Sequence, residues 1–309
     1  MPTIICQKRF GALPCLALSR HLVSRIMNGV GVEGLRPLDK VGLAGGRHVY
    51  RPAAAASGDE LTLPERCRIG AYCMKRCFRR INHYAERIEN IICNRLLNWM
   101  DGMTDKRICG ASLVPYVPSI FRDDRNGVGG TGTQSTRYII LKRIFSHVQL
   151  SPSDTFLDVG CGKGRVLAFL IREKCPCQLY GIEHNEEVGK MAAGWAKRYD
   201  QIHIAIGDAL QLDYDPYTVL SLARSFLPRT FLSFVERCED TLTHPITLIY
   251  WYDQQSGHLL RNRPGWEMQM RGRISRIHGI KVYTPTQFYS IWKYDPAKRA
   301  ASHAEPGHE

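Results

Sequence analysis

Residues 155–171 read TFLDVGCGKGRVLAFLI, and this stretch decides the fold. Thr155 to Val159 has the β-branched, apolar character of a short buried strand, with an acid, Asp158, at its end. Gly160, Gly162 and Gly164 follow at alternate positions, and Val166, Leu167, Phe169, Leu170 and Ile171 then recur with helical period. Strand, glycine turn and helix in that order predict the first unit of a parallel α/β sheet. Glycines belong in such a turn because a side chain would hold a nucleotide-like ligand away from the backbone and the helix N-terminus.

The spacing narrows the ligand. A dinucleotide fingerprint needs a third glycine at 165, where the chain has Arg165. A phosphate-binding P-loop needs Ser or Thr after its lysine, and Lys163 is followed by Gly164. What remains is acid-x-Gly-x-Gly-x-Gly, Asp158 to Gly164. Gln178 to Ile182 then reads as a second strand ending in Glu183, nineteen residues past Gly164. Ile202 to Ile206 reads as a third, ending in Gly207-Asp208. An acid about 20 residues past a glycine turn is placed to reach ribose hydroxyls.

These three acids and the loop resemble the class I S-adenosylmethionine (SAM) methyltransferases, and bacterial members are the most similar. The resemblance covers residues 130–295 and implies a seven-stranded, mostly parallel, doubly wound α/β sheet with its last strand reversed. It assigns Asp158, Gly160, Cys161, Gly162 and Gly164 to the cofactor loop. Glu183, with His184 beside it, is assigned to the ribose, and Asp208-Ala209 to the adenine. A carboxylate suits both jobs, since it accepts from two hydroxyls or from an exocyclic amine.

Further strands are expected at Thr218 to Leu222, Ile246 to Trp251, Trp266 to Arg271 and Phe288 to Lys293. Helices are expected over 134–147 and about Arg229 to Thr241. The acceptor should meet the ends of the fourth and fifth strands. Many amino-group methyltransferases carry Asn/Asp-Pro-Pro-aromatic after strand four. This chain reads Ala223-Arg224-Ser225-Phe226, and only the aromatic matches. Past strand five, Tyr252 and Asp253 are the pocket candidates, with Arg224 available to an anionic acceptor or to Asp253. Of Tyr250 and Trp251, one should be core, since strand neighbours face opposite ways. Methyl transfer from a sulfonium asks mainly for in-line placement and exclusion of water. Asp253 or His184 could act as base for an acceptor that arrives protonated. No metal is implied.

The remainder organises around that domain. Four regions are expected: a poorly ordered basic leader and linker, 1–64; a helical extension and cofactor-covering segment, 65–133; the SAM-binding domain, 134–295; and a frayed tail, 296–309. Net charge is +13, and residues 1–150 carry 23 Lys/Arg against 11 Asp/Glu. A basic surplus ahead of an enzyme domain suggests nucleic acid or another polyanion as partner. The helix expected over 65–100 has apolar residues Tyr84, Ile88, Ile91, Ile92, Leu96 and Trp99 on one face and Arg68, Lys75, Arg76, Arg79, Arg80 and Arg87 on the other. It is read as packing its apolar face on the catalytic domain. Residues 1–32 have no acid, a composition shared by organelle transit peptides and by over-extended starts. Eleven irregularly spaced cysteines read as reduced thiols in a cytoplasmic protein. No apolar run of about 18 residues is present to span a bilayer. The competing function is a nucleic-acid-binding protein that keeps a SAM-binding fold without catalysis.

Overall fold

The computed structural model describes residues 63–119 and 122–304, with side chains described for residues 82–119 and 123–302. The expected leader therefore lies outside the described residues, as do the side chains of Arg68, Lys75, Arg76, Arg79 and Arg80. The chain divides into two compact units, 1–82 and 83–309. The described part of the first is helical from Leu63, the start of a helix that ends at Cys109.

The second unit contains the sheet. Two short strands, β1 (Arg122–Asp123) and β2 (Val128–Gly129), pair as a hairpin ahead of it. The sheet itself is built from β3 (Thr155–Val159), β4 (Gln178–Glu183), β5 (Ile202–Ile206), β6 (Val219–Ala223) and β7 (Ile246–Trp251), with β8 (Trp266–Ile274) at one edge. After a small hairpin of β9 (Arg276–Ile277) and β10 (Ile280–Lys281), the final strand β11 (Gln287–Tyr294) inserts between β7 and β8. The order is β5-β4-β3-β6-β7-β11-β8. Strands β3 to β7 pair in parallel, and β11 is antiparallel to both neighbours. This is the expected seven-stranded sheet.

Alternation along the strands splits the core between two faces. Phe156, Leu179, Val219, Ile249 and Trp251 pack on one side with the helices Tyr138–Phe145 and Arg165–Arg172. Leu157, Val159, Leu220, Leu248 and Tyr250 pack on the other with the helix Pro228–Thr241. The parallel strands are buried on both faces, which is why they read as continuous apolar runs.

Two expectations are corrected. Residues 296–304 are not a frayed tail but a helix, Pro296–Ala304, whose start is fixed by proline at its first position and by Asp295 accepting from the Ala297 amide at 3.0 Å. The long helix also does not pack its apolar face on the domain. Tyr84, Ile88, Ile91, Ile92, Leu96 and Trp99 are all exposed, Trp99 to 64%. The face turned inward presents Leu97, Asp101, Asp105 and Cys109 instead. Charge decides the docking: Asp105 takes Arg165 Nη2 at 2.6 Å and Nε at 3.0 Å, and the Tyr138 hydroxyl donates to it at 3.0 Å. Asp101 receives Arg137 at 3.5 Å.

Candidate active site

A cavity of about 550 Å³ opens at the carboxyl ends of β3, β4, β6 and β7. Its position follows from topology, since neighbouring strands β3 and β6 send their connections in opposite directions and leave a crevice there. The volume falls within the range of small-molecule sites.

The glycine loop forms its floor. Gly160, Gly162 and Gly164 all have left-handed backbone, with φ of +68°, +56° and +84°. Space forbids a side chain as firmly as conformation does. A Cβ on Gly162 would lie 2.7 Å from Thr133 Cγ2, and one on Gly160 would lie 2.5 Å from Ser225 Oγ. Glycine is therefore enforced by the protein's own packing, and Gly160 and Gly162 line the cavity as bare backbone at the start of the Arg165–Arg172 helix.

Glu183 is buried and braces this loop. One carboxylate oxygen accepts from the Gly162 amide at 2.8 Å and the other from the Asn185 amide at 2.9 Å. Each oxygen keeps a lone pair for a ligand hydroxyl. Asn185 in turn caps the helix Glu186–Ala196, accepting from the Glu187 and Val188 amides. Asp158 is fully buried at the cavity floor, where desolvation pushes its carboxyl up to about 7 and the nearby Glu183 charge adds to the rise; a Ser221 hydrogen bond opposes both. Asp208 is exposed and caps a short turn by accepting from the Leu210 amide at 2.9 Å. His184 and Ala209 line the same cavity, as does Cys161, whose thiol burial pushes up. All nine residues assigned to the cofactor by resemblance thus sit on or next to one cavity wall; Gly164 alone is not part of the lining.

The opposite wall comes from the ends of β6 and β7. Arg224, Ser225, Phe226, Trp251 and Tyr252 line it. Tyr250 is the core member of its pair, stacked on Phe231 at 4.9 Å between ring centres, and Trp251 is the one that reaches the cavity. Asp253 does not belong to the site. It is 2% exposed and its two oxygens hold Arg271 at 2.7 and 3.0 Å, so it is available neither as base nor as partner for Arg224.

Residues 129–131 are held by this wall. Thr131 Oγ1 donates to the Arg224 carbonyl at 2.5 Å, the Leu227 amide donates to the Gly129 carbonyl at 2.9 Å, and Gly130 bridges to Phe226. Lys163 reaches from the loop to the Pro115 carbonyl, and burial lowers its ammonium to about 8. Several lining residues were not singled out from sequence: Tyr116, Thr131, Thr133, Asn185, Tyr283 and Gln287. The first three fall within the segment 65–133 that was expected to cover the cofactor. Tyr283 and Gln287 lie between β10 and the start of β11, a connection with no motif to flag it.

Against known proteins, the model of the family described as histone methylation protein DOT1 matches residues 134–214. No curated protein matches the chain. Among solved structures, an RNA methyltransferase from Salinibacter ruber in complex with S-adenosyl-L-homocysteine is 18% identical, with TM-score 0.39, covering 52% of this chain and 92% of that one. A SAM-dependent O-methyltransferase from Thermotoga maritima is 18% identical, with TM-score 0.40, covering 53% and 67%. TYW2 from M. jannaschii, in complex with SAM, is 14% identical, with TM-score 0.38, covering 53% and 78%.

The sheet order, the reversed β11 and the glycine floor define the class: this is a SAM-dependent methyltransferase of the class I fold. Its family-model match spans the cofactor half, β3 to β5, and stops before β6.

Proposed function

We propose that the glycine loop, Asp158, Glu183, His184, Asp208 and Ala209 seat SAM, and that the methyl acceptor enters against Arg224, Phe226, Trp251 and Tyr252. SAM supplies a methyl that is already activated. The protein's share is therefore to aim the acceptor and keep water out. The observation that carries this reading is the single cavity that joins the braced glycine loop to the aromatic ends of β6 and β7. No side chain has to act as base for an acceptor that arrives with a free lone pair.

The acceptor class of the matched family does not transfer with the match, because residues 134–214 exclude both strands whose ends form the acceptor wall. Among the described residues of the long helix from 83 onward, Arg87, Arg95, Lys106 and Arg107 are offset by Glu86, Glu89, Asp101 and Asp105. A polyanion partner therefore draws its support from the basic residues 68–80 and upstream. No helix among the described residues is long and apolar enough to cross a membrane. A cytoplasmic site of action is part of the proposal, supported by free thiols at all six described cysteines.

Titration calorimetry of the full chain with SAM and with its demethylated product tests the cofactor assignment. Binding of both in the micromolar range, abolished in Gly162→Arg, is the expected result. Failure of either to bind would overturn it and favour the non-catalytic reading.

A further inference from the structure

Arg224 and Tyr252 occupy equivalent places, each the first residue past its strand, and each has a backbone conformation that side-chain-bearing residues rarely adopt. Their φ angles are +55° and +69°. Strain of this kind persists where surrounding structure enforces it, and it collects at ligand clamps. Here it brings the two side chains together, with the Arg224 guanidinium 4.5 Å from the centre of the Tyr252 ring.

Among the described residues, the guanidinium has no ion-pair partner. Arg224 Nε is buried and has no hydrogen-bond partner among the described residues. The other two cations of the cavity wall are engaged: Lys163 donates to the Pro115 carbonyl and Arg165 is held by Asp105. Asp253, the nearest acid along the chain from Tyr252, is committed to Arg271. A buried, unpaired donor is costly, so a ligand that satisfies it is bound with selectivity. A guanidinium stacked on an aromatic ring leaves its donor edge free, and that edge matches a carboxylate or a phosphate. Around it, Phe226, Trp251 and Tyr283 supply flat apolar walls.

We propose that Arg224 anchors a carboxylate or phosphate group of the methyl acceptor, which is thus a small anionic molecule with a flat apolar part. This rests on the methyltransferase reading given above. The one other source of the same chemistry at this site is the carboxylate of SAM itself, and the experiment separates the two.

The full chain saturated with S-adenosylhomocysteine is titrated with benzoate and phenyl phosphate, and with neutral benzamide and benzyl alcohol, by calorimetry or ligand-observed NMR. At least one anion should bind, and more tightly than its neutral counterpart. Arg224→Gln should weaken that anion about ten- to a hundredfold while leaving S-adenosylhomocysteine affinity unchanged, which also certifies the fold. Arg224→Lys should restore part of the loss. Arg224→Gly, free of backbone strain, should behave like Arg224→Gln with a higher melting temperature. Equal binding of anions and neutral probes, no binding of either anion up to high millimolar concentration, or an unchanged anion affinity in Arg224→Gln would each overturn the proposal. Loss of S-adenosylhomocysteine binding in a folded Arg224→Gln would overturn it too, by assigning the arginine to the cofactor. If the wild-type chain does not bind S-adenosylhomocysteine at all, the methyltransferase reading falls and this one with it.

Discussion

The Glu183 carboxylate accepts from the Gly162 amide at 2.8 Å, so the acid at the end of β4 is also the strut that holds the glycine loop of β3. One residue both shapes the floor of the site and offers its remaining lone pairs to a ligand. Glu183→Ala is accordingly expected to weaken SAM binding by about ten- to a hundredfold, the worth of charge-assisted hydrogen bonds. It should also lower the melting temperature by a few degrees, since the Gly162 and Asn185 amides lose their acceptor. Calorimetry and thermal unfolding of the same variant check both halves. An unchanged SAM affinity would remove Glu183 from the cofactor site.

Asp158 sets a pH dependence. Burial raises its carboxyl from an ordinary value near 4 to about 7 in the folded chain. Between those values the folded state holds a proton that the unfolded state has released, so this group's contribution to stability falls as pH rises from about 4 to about 7. Asp158→Asn should flatten that segment of the profile. It should leave the protein at least as stable as wild type at pH 8, and urea unfolding across pH 5 to 8 is the measurement.

Arg165 and Asp105 form a buried pair at 2.6 Å, with Asp101 as a second, looser carboxylate 3.8 Å from Arg165. Asp105→Ala should cost about 3–5 kcal/mol, the usual penalty for stranding one buried charge. Replacing both, as in Asp105→Leu with Arg165→Met, should cost much less than either single change. A double-mutant cycle by urea denaturation gives the coupling directly.

Cys175 and Cys177 lie with sulfurs 3.2 Å apart. The Cys177 hydrogen bond pulls the half-exposed Cys175 thiol down to about 7, while its partner is pushed up. The thiolate is the reactive form, so alkylation of Cys175 should rise with pH about a midpoint near 7. Cys177→Ala should move that midpoint upward, as read by iodoacetamide labelling and mass spectrometry.

The parts of this chain that were legible in its sequence are those governed by local pattern. β3, β5 and β7 begin and end where period and composition placed them, and the alternating glycines located the cavity floor. Docking of the long helix was not legible. Its apolar period from Tyr84 to Trp99 shows that a face exists, but the contact is made by Asp101 and Asp105 with Arg137 and Arg165, charges that meet from 36 to 60 positions away. Asp253 was misplaced for the same reason, since its partner Arg271 lies on β8. The helix after β11 was different: Asp295-Pro296 is an ordinary N-terminal signal that the charged, polar composition of the tail obscured.

The Arg165–Asp105 pair also governs how this protein can be cut and recombined. The segment with a family resemblance begins at 134, and a fragment excised there would keep the buried Arg165 and discard Asp101 and Asp105, the carboxylates that pair with it among the described residues. A piece that keeps both partners of Arg165 must start upstream of Asp101. The end of the long helix is therefore an internal wall of the catalytic module, and exchanging it between relatives would mean exchanging its arginines as well.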